Sequence, residues 1–199
     1  MRLNPEAIFH FPSLYEHKNK MLSLLNGLGR FRVNDRTRGK RVLDIGCGPV
    51  QLYYDPGQTR QHAAVDNSPE MVEVCKRRYP SSRCLVASAE ALPFEDKAFD
   101  IVTLFFVLHH IDFKKWAAVL AETQRVSKEK ILVLDHIRHD GWLRGNLQQN
   151  YWNLFDGGKA YLRKKEWAST LKGFRVPQFQ RKGVFFGNVC YFEIEPREC

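Results

Sequence analysis

The sequence predicts a doubly wound α/β domain with a mostly parallel sheet, and three features support this prediction. The 199 residues fit a single hydrophobic core, because cores of this kind serve chains of about 100 to 250 residues. Short apolar runs alternate with helix-like segments through the middle of the chain, which indicates parallel strands covered by helices. The last two apolar runs have no helix between them, which indicates an antiparallel hairpin at one sheet edge.

Seven strands and four helices account for these patterns. The strands are predicted near residues 41–45, 62–65, 84–86, 101–106, 131–135, 175–180 and 188–195. The helices are predicted at Ser13 to Leu25, Pro69 to Arg78, Asp112 to Val126 and Lys164 to Leu171. Ser68 is a predicted N-cap with Pro69 in the first turn, and Gly173 follows the last helix. Asp55, Pro56 and Gly57 predict that any helix after the first strand is short.

Apolar run length, cysteine content and net charge limit the classes of protein to which this chain can belong. The longest apolar run, Ile101 to Leu108, is far shorter than the roughly 20 residues that cross a bilayer. With no signal-like N-terminus, we expect a cytoplasmic protein whose five scattered cysteines are reduced thiols and which has no metal site. The formal net charge of +9 favours anionic partners, whether a substrate, a membrane surface or nucleic acid.

The segment VLDIGCG, Val42 to Gly48, predicts a strand that ends in a glycine turn. Glycines at such a turn let the backbone approach a ligand closely. In open parallel sheets, ligands bind at the carboxyl ends of the strands, near the point where the strand order reverses. Eighteen residues after Gly48, Asp66 ends the second predicted strand, close to the spacing expected for an acid that binds a ribose. The pair predicts a nucleotide site.

At these positions the chain resembles the class I S-adenosylmethionine-dependent methyltransferases, in particular the group typified by ubiquinone and menaquinone biosynthesis methyltransferases. The resemblance rests on VLDIGCG, on VDNSPEMVEVCKRR and on SAEALPFEDKAFDIVTLFFVLHHI, and it runs from about Arg41 to Asp135. It implies a Rossmann-like sheet and S-adenosyl-L-methionine as the cofactor. It also implies four parts: a helical cap and basic linker (1–40), a cofactor-binding core (41–136), a substrate-cover insertion (137–163) and a C-terminal helix and hairpin (164–199).

The resemblance assigns cofactor-binding roles residue by residue. Asp44 and the turn Gly46, Cys47 and Gly48 approach the methionine portion, together with the backbone around Phe105. Asp66 holds the ribose, Asn67 and Met71 pack beside the purine, and Ser88, Ala89 and Glu90 line the adenine pocket. Two positions depart from the family pattern, because Val50 replaces a third glycine and Ser88 replaces an acid that contacts adenine.

A sulfonium methyl group is already activated, so the enzyme has mainly to hold a nucleophile in line and remove its proton. His109 and His110 after the fourth strand and His136 after the fifth are the candidate bases, since a pKa near neutrality suits this task. A structural role for each histidine is the competing interpretation. Aromatic residues between Arg138 and Tyr161 could pack on a small-molecule, lipid or quinone-like acceptor, or only fix the insertion to the core.

Three alternatives remain open. A nicotinamide-dependent oxidoreductase shares the strand, turn and acid, but its fingerprint needs a glycine where Gln51 stands. A fold relative could bind the cofactor without transferring a methyl group. Positive charge between Arg30 and Arg41 would suit an RNA acceptor, although the chain has no recognised RNA-binding motif and a solvated basic linker explains the charge equally well. The same charge would suit peripheral contact with an anionic membrane. The oligomeric state is not readable from the sequence.

Overall fold

A seven-stranded mixed sheet forms the centre of the molecule. The computed structural model describes residues 33–48, 54–155, 157–182 and 188–196. The strands are β1 (Arg41–Ile45), β2 (Gln61–Asp66), β3 (Arg83–Val86), β4 (Phe99–Phe105), β5 (Ser127–His136), β6 (Arg175–Lys182) and β7 (Val189–Glu195). The α-helices are α1 (Val33–Thr37), α2 (Pro69–Arg78), α3 (Trp116–Val126), α4 (Trp142–Phe155) and α5 (Lys164–Thr170). Three short 3₁₀ turns span Pro56–Gln58, Leu108–His110 and Phe113–Lys115.

The strand order is β3-β2-β1-β4-β5-β7-β6. Strands β1 to β5 pair in parallel, and β7 pairs antiparallel with both β5 and β6. The chain leaves β1 toward one side of the sheet and later returns to place β4 on the other side. The order therefore reverses between β1 and β4, and a crevice at their carboxyl ends is the expected ligand position.

Both faces of the central strands are buried, as expected for parallel strands covered by helices on two sides. On one face, Leu43 and Leu104 join a core that includes Trp116 and Trp167. On the other face, Val42 and Ile101 pack with Leu132 and Leu134. Because neighbouring residues of a strand alternate between faces, continuous apolar sequence was needed at these positions.

The predicted fold class is confirmed, including the antiparallel hairpin at the C-terminal end. Helix α2 begins at Pro69 with Ser68 as its N-cap, as predicted, and the Ser68 hydroxyl accepts a hydrogen bond from the Met71 N–H. Strand β5 begins four residues earlier than predicted, at Ser127, because polar residues there continue the pairing with β4 across an irregularity beside Phe99. Between β1 and β2, the helical structure of the described residues is limited to the 3₁₀ turn Pro56–Gln58. The predicted helix Ser13 to Leu25 lies outside the described residues.

The basic stretch before β1 differs from the predicted solvated linker. Residues Val33–Thr37 form the short helix α1 instead of extended chain. Arg36 pairs with Glu193 at 2.9 Å, Lys40 with Glu129 at 2.6 Å, and Arg41 with Asp100 at 3.0 Å. These three cations therefore tie the stretch to the sheet. Arg30 and Arg32 lie outside the described residues.

The loop between β3 and β4 is held by a side chain of α3. The Arg125 guanidinium donates hydrogen bonds to the Leu92 and Phe94 carbonyl oxygens and to the Asp96 carboxylate. Glu122 accepts from the Leu92 N–H at 2.8 Å. The segment ALPFEDKAFD is thus a fixed loop that leads into β4.

Helix α4 occupies the predicted insertion between β5 and α5. Among the described residues, no helix combines the length and apolar character that a bilayer crossing requires.

Candidate functional site

The glycine turn after β1 lies where the strand order reverses. The N–H groups of Gly46 and Cys47 both donate to the Val65 carbonyl oxygen, at 2.8 and 3.1 Å, which holds the turn against the end of β2. Gly46 has a φ of +70°, and a Cβ atom there would lie 2.3 Å from Val107 Cγ2. Only glycine fits at this position, because both the backbone conformation and the space exclude a side chain.

Gly48 requires glycine for a different reason. It has a φ of +50°, yet no described heavy atom outside its chain neighbours lies within 4 Å of a Cβ built on it. Among the described residues, the backbone is therefore accessible on this side, which would allow a ligand to approach it closely.

Asp66 ties the turn to the start of α2. Its carboxylate accepts hydrogen bonds from the Gly48 N–H and from the Ser68 N–H, both at 3.0 Å. Burial raises the pKa of Asp66, while these backbone donors act in the opposite direction. A carboxylate has about four acceptor positions, so Asp66 retains capacity for further hydrogen bonds such as those from ribose hydroxyls.

Asp44 lies beneath the turn. It is buried in β1 and accepts a 2.6 Å hydrogen bond from the Thr103 hydroxyl of β4. Cys47 is also buried, and a hydrogen bond with Cys75 together with burial raises the pKa of its thiol well above the ordinary range. Cys47 is thus neutral, and it contributes packing to the turn. Cys47, Cys75, Cys84 and Cys190 form no disulfide, and Cys199 lies outside the described residues.

The residues predicted to surround the nucleoside differ in burial and in their contacts. Met71 is buried in the first turn of α2, whereas Asn67 and Ser88 are exposed. Ala89 is half-buried against the core, and Glu90 forms an ion pair with Lys115 at 2.8 Å. Asp66 is hydrogen-bonded to the glycine turn, whereas the Ser88 hydroxyl accepts from the Glu90 N–H and the Glu90 carboxylate accepts from Lys115.

The end of β4 is strained. Phe105 is buried, and the next residue, Phe106, has a φ of +57°, which is rare for a residue with a large side chain. Strained backbone of this kind persists where surrounding structure enforces it, and it concentrates at ligand sites. Here the Phe106 N–H donates to the Leu134 carbonyl oxygen at 2.7 Å, and Val107 then packs against Gly46.

The three candidate histidines form one cluster beyond Phe106. The ring centroid of His109 lies 4.1 Å from that of His110 and 4.7 Å from that of His136. His109 is buried, and His110 and His136 are half-buried. The three rings are therefore neighbours in the fold, and their catalytic role stays a prediction.

Asp135 at the end of β5 is a functional candidate that the sequence reasoning missed. It is fully buried and contacts Nδ1 of His109 at 2.5 Å. Burial alone would raise its pKa, but the charge and hydrogen bond of His109 lower it on balance. An acid at a strand end is the signal that could have identified it, because the same position helped to identify Asp66; here a histidine follows the acid directly.

Residues 137–163, the predicted insertion, supply aromatic rings to the cluster. Trp152 of α4 lies 4.5 Å from His136, and Tyr161 stacks on His109 at 5.4 Å between centroids. The N–H groups of Lys159 and Ala160 donate to the His109 carbonyl oxygen, which attaches the insertion to the end of β4. The site thus has a glycine turn with an acid on one side and an aromatic and imidazole cluster on the other.

Comparisons with known proteins agree with this geometry. The methyltransferase domain family matches residues 43–133. Demethylmenaquinone methyltransferase of Renibacterium salmoninarum is 41% identical over 93 residues, which is 45% of this chain and 38% of that protein. An uncharacterized methyltransferase of Schizosaccharomyces pombe is 26% identical over 190 residues, covering 84% of this chain and 72% of its own length.

A solved Haloferax volcanii structure shares the fold with a TM-score of 0.70, 16% identity, and coverage of 99% of this chain and 100% of that one. It is described as a complex between the Trm112 methyltransferase activator and a putative methyltransferase. The chain spans about two fifths of the length of the first curated relatives it matches. The family resemblance seen in the motifs is therefore confirmed at the level of the domain.

Proposed function

From the premise that residues 43–133 form a methyltransferase domain, we propose that this chain transfers a methyl group from S-adenosyl-L-methionine to an acceptor. The observation that carries the proposal is the Asp66 carboxylate, which is hydrogen-bonded to Gly48 at the carboxyl ends of β1 and β2. An acid in this place can accept ribose hydroxyls while the open glycine backbone faces the rest of the nucleoside. The bound cofactor would supply a methyl group on a cationic sulfonium.

The remaining predicted residues would hold that cofactor by their positions around the turn. The negative charge of the Asp44 carboxylate would attract the cationic methionyl portion of the cofactor. Cys47, Met71 and Phe105 offer apolar contact, since each is buried beside the turn or at a neighbouring strand or helix end. Asn67, Ser88, Ala89 and Glu90 are proposed for the nucleoside side, with Glu90 shared with Lys115.

Among the histidines, the structure favours different tasks. His109 is buried and bound to Asp135, which suits a positioning role for the cluster. His110 and His136 are half-buried and can meet an acceptor. We propose that one of these two imidazoles takes the proton from an oxygen, nitrogen or carbon nucleophile as the methyl group arrives.

The acceptor is proposed to be a small molecule with a ring or lipid character. Trp152, Tyr161 and His136 present aromatic surface next to the candidate base, and such surfaces pack well on ring systems. Relatives named demethylmenaquinone methyltransferase point in the same direction. An RNA acceptor is less well supported, because Arg36, Lys40 and Arg41 already pair with carboxylates.

Calorimetric titration tests the cofactor half of this proposal. Purified protein should bind S-adenosylhomocysteine and show no comparable binding of NAD. Asp66→Ala should weaken S-adenosylhomocysteine binding about tenfold or more, since hydrogen bonds to a charged group contribute roughly 1.5 to 3 kcal/mol. Glu73→Gln, which removes only a surface ion pair with Lys76, is the matched control and should bind normally.

Absence of any affinity for S-adenosylhomocysteine would reject the proposal. Binding without transfer of labelled methyl from S-adenosylmethionine to small-molecule, lipid or RNA extract fractions would support the alternative of a fold relative that binds only the cofactor. Transfer to the RNA fraction would reassign the acceptor.

A further inference from the structure

Helix α4 presents an apolar stripe to solvent. Leu143, Leu147, Tyr151 and Leu154 follow one another at intervals of four, four and three residues, so they lie on one face of the helix. Trp142 stands at the start of the same helix. These five residues have relative exposures between 41% and 73%, and they are five of the seven exposed large hydrophobic residues among those the structure describes. We call the four spaced residues the α4 stripe; Trp142 is exposed beside its N-terminal end.

The orientation of α4 is fixed by contacts on its opposite face. Gln148 is buried and accepts a hydrogen bond from the His139 N–H at 2.8 Å. The Arg138 guanidinium donates to the side chains of Gln149 and Asn146. Trp152 is buried against His136 and Tyr161. A surface helix usually buries its apolar face and exposes its polar one, whereas α4 does the reverse over most of its length.

The charges around the stripe identify what can cover it. Helix α4 contains no Asp or Glu, and Arg144 is exposed beside the stripe. Between residues 138 and 165 the sequence has six Lys or Arg residues and two Asp residues, and the whole chain has a net charge of +9. A face of leucines and a Tyr, on a helix whose one charged residue is Arg144 and in a segment with more cations than acids, favours the surface of an anionic bilayer.

We propose that the α4 stripe binds the surface of an anionic lipid bilayer. Trp142 and Tyr151 would lie at the level of the headgroups, where amphipathic rings are favoured, while the leucines enter the acyl boundary. The link to catalysis rests on the proposed function: the same helix carries Trp152 into the histidine cluster, so a bilayer on its outer face adjoins the region proposed for a lipid or quinone-like acceptor. Lipid binding itself requires neither cofactor nor methyl transfer.

Sedimentation with vesicles tests this inference on the full chain. Wild-type protein should sediment with vesicles of phosphatidylcholine mixed with phosphatidylglycerol, and less with phosphatidylcholine alone. Leu147→Glu should lower the partition coefficient about tenfold or more, because it removes one leucine from the buried area and adds a carboxylate. Leu154→Glu should behave in the same way. Raising the salt from about 0.1 to 0.5 M should weaken binding without abolishing it, since screening acts on the charges and leaves the apolar contact.

Phe113→Glu is the matched control. Phe113 is 50% exposed, close to the 53% of Leu147, and the substitution changes the net charge equally, but the residue lies in the turn before α3. Its vesicle binding should stay within about twofold of wild type.

Failure of the wild type to bind anionic vesicles would overturn the inference, as would equal losses in Leu147→Glu and Phe113→Glu. A wild-type dimer that Leu147→Glu converts to a monomer, without vesicle binding, would assign the stripe to a second copy of the chain.

Titration of S-adenosylhomocysteine into the same variants separates the two proposals. Leu147→Glu should bind the nucleoside as the wild type does, since Leu147 belongs to the outer face of α4. Wild-type protein that binds the nucleoside but no anionic vesicles would therefore reject the membrane surface and leave the proposed function standing, whereas vesicle binding without nucleoside binding would do the opposite.

Discussion

At the scale of single residues, Gly46 and Gly48 belong to the same sequence motif but have different surroundings in the structure. A side chain at Gly46 would collide with Val107, whereas no described heavy atom outside the chain neighbours lies within 4 Å of a Cβ built at Gly48. Both have positive φ, and the sequence pattern alone does not distinguish them. The structure gives a packing reason for the first glycine, and for the second we propose contact with a ligand.

Substituting Gly48 by alanine tests this distinction. Gly48→Ala should lower the free energy of unfolding by about 1 to 2 kcal/mol, the cost of a left-handed conformation for a residue with a Cβ. It should reduce S-adenosylhomocysteine affinity much more, because the new methyl group occupies the space left for the cofactor. Calorimetric titration and chemical denaturation measure the two effects.

Gly39 provides the control for that substitution. It has a φ of +69°, and again no described heavy atom outside its chain neighbours lies within 4 Å of a built Cβ. Gly39→Ala should therefore carry a similar stability cost and leave nucleoside binding unchanged. Equal effects of the two substitutions on binding would contradict a ligand role for Gly48.

At the scale of elements, the sequence was most informative where a local pattern determines the structure. The start of α2 followed from Ser68 and Pro69, and the central strands followed from apolar runs buried on both faces. The extra residues of β5 could not be read, because Ser127 is polar and belongs to the strand only through its pairing with β4. The contact between His109 and Asp135 joins residues 26 positions apart, so only the fold brings them together.

The loop between β3 and β4 is an element whose conformation depends on one distant side chain. Arg125→Gln should remove most of the hydrogen bonds that its guanidinium donates to Leu92, Phe94 and Asp96. Because Ser88, Ala89 and Glu90 belong to this loop, we expect nucleoside affinity to fall about three- to tenfold, together with a loss of about 1 to 3 kcal/mol in unfolding free energy. Calorimetric titration and denaturation midpoints check both values.

Arg77→Gln is the control for the loop, since Arg77 is an exposed arginine in the last turn of α2. It should leave both quantities close to wild type. Unchanged nucleoside affinity in Arg125→Gln would mean that the loop keeps its shape without the guanidinium, or that it does not contact the nucleoside.

At the scale of the whole molecule, one face of helix α4 points toward the candidate site and the opposite face lies on the surface of the protein. The inner face of α4 carries Trp152 to the histidine cluster, and the outer face carries the α4 stripe. Neither face was predictable from periodicity, because the apolar residues of α4 are divided between them. The hydrogen bonds of Arg138 and Gln148 decide which face points inward.

Global stability should depend on pH through His62, a buried residue of β2. Its ring lies between the Tyr54 hydroxyl at 2.9 Å and the Ser82 hydroxyl at 2.8 Å, and burial lowers its pKa to about 4. In the unfolded chain a histidine takes up a proton near pH 6.5, so between about pH 6.5 and 4 the unfolded state binds more protons than the folded state. Stability is therefore fully present above this range and falls as the pH decreases through it.

From this shift, His62 alone should make the protein about 2 kcal/mol less stable at pH 5 than at pH 7. Urea denaturation at the two pH values measures the difference, and His62→Gln should reduce it by about that amount. Tyr54→Phe is the control, because it removes one hydrogen bond to the ring but leaves the imidazole in place; it should lower stability at both pH values and keep the difference. If His62→Gln retains the full wild-type difference, the acid sensitivity belongs to other groups, and His62 is protonated in the folded protein as readily as in the unfolded chain.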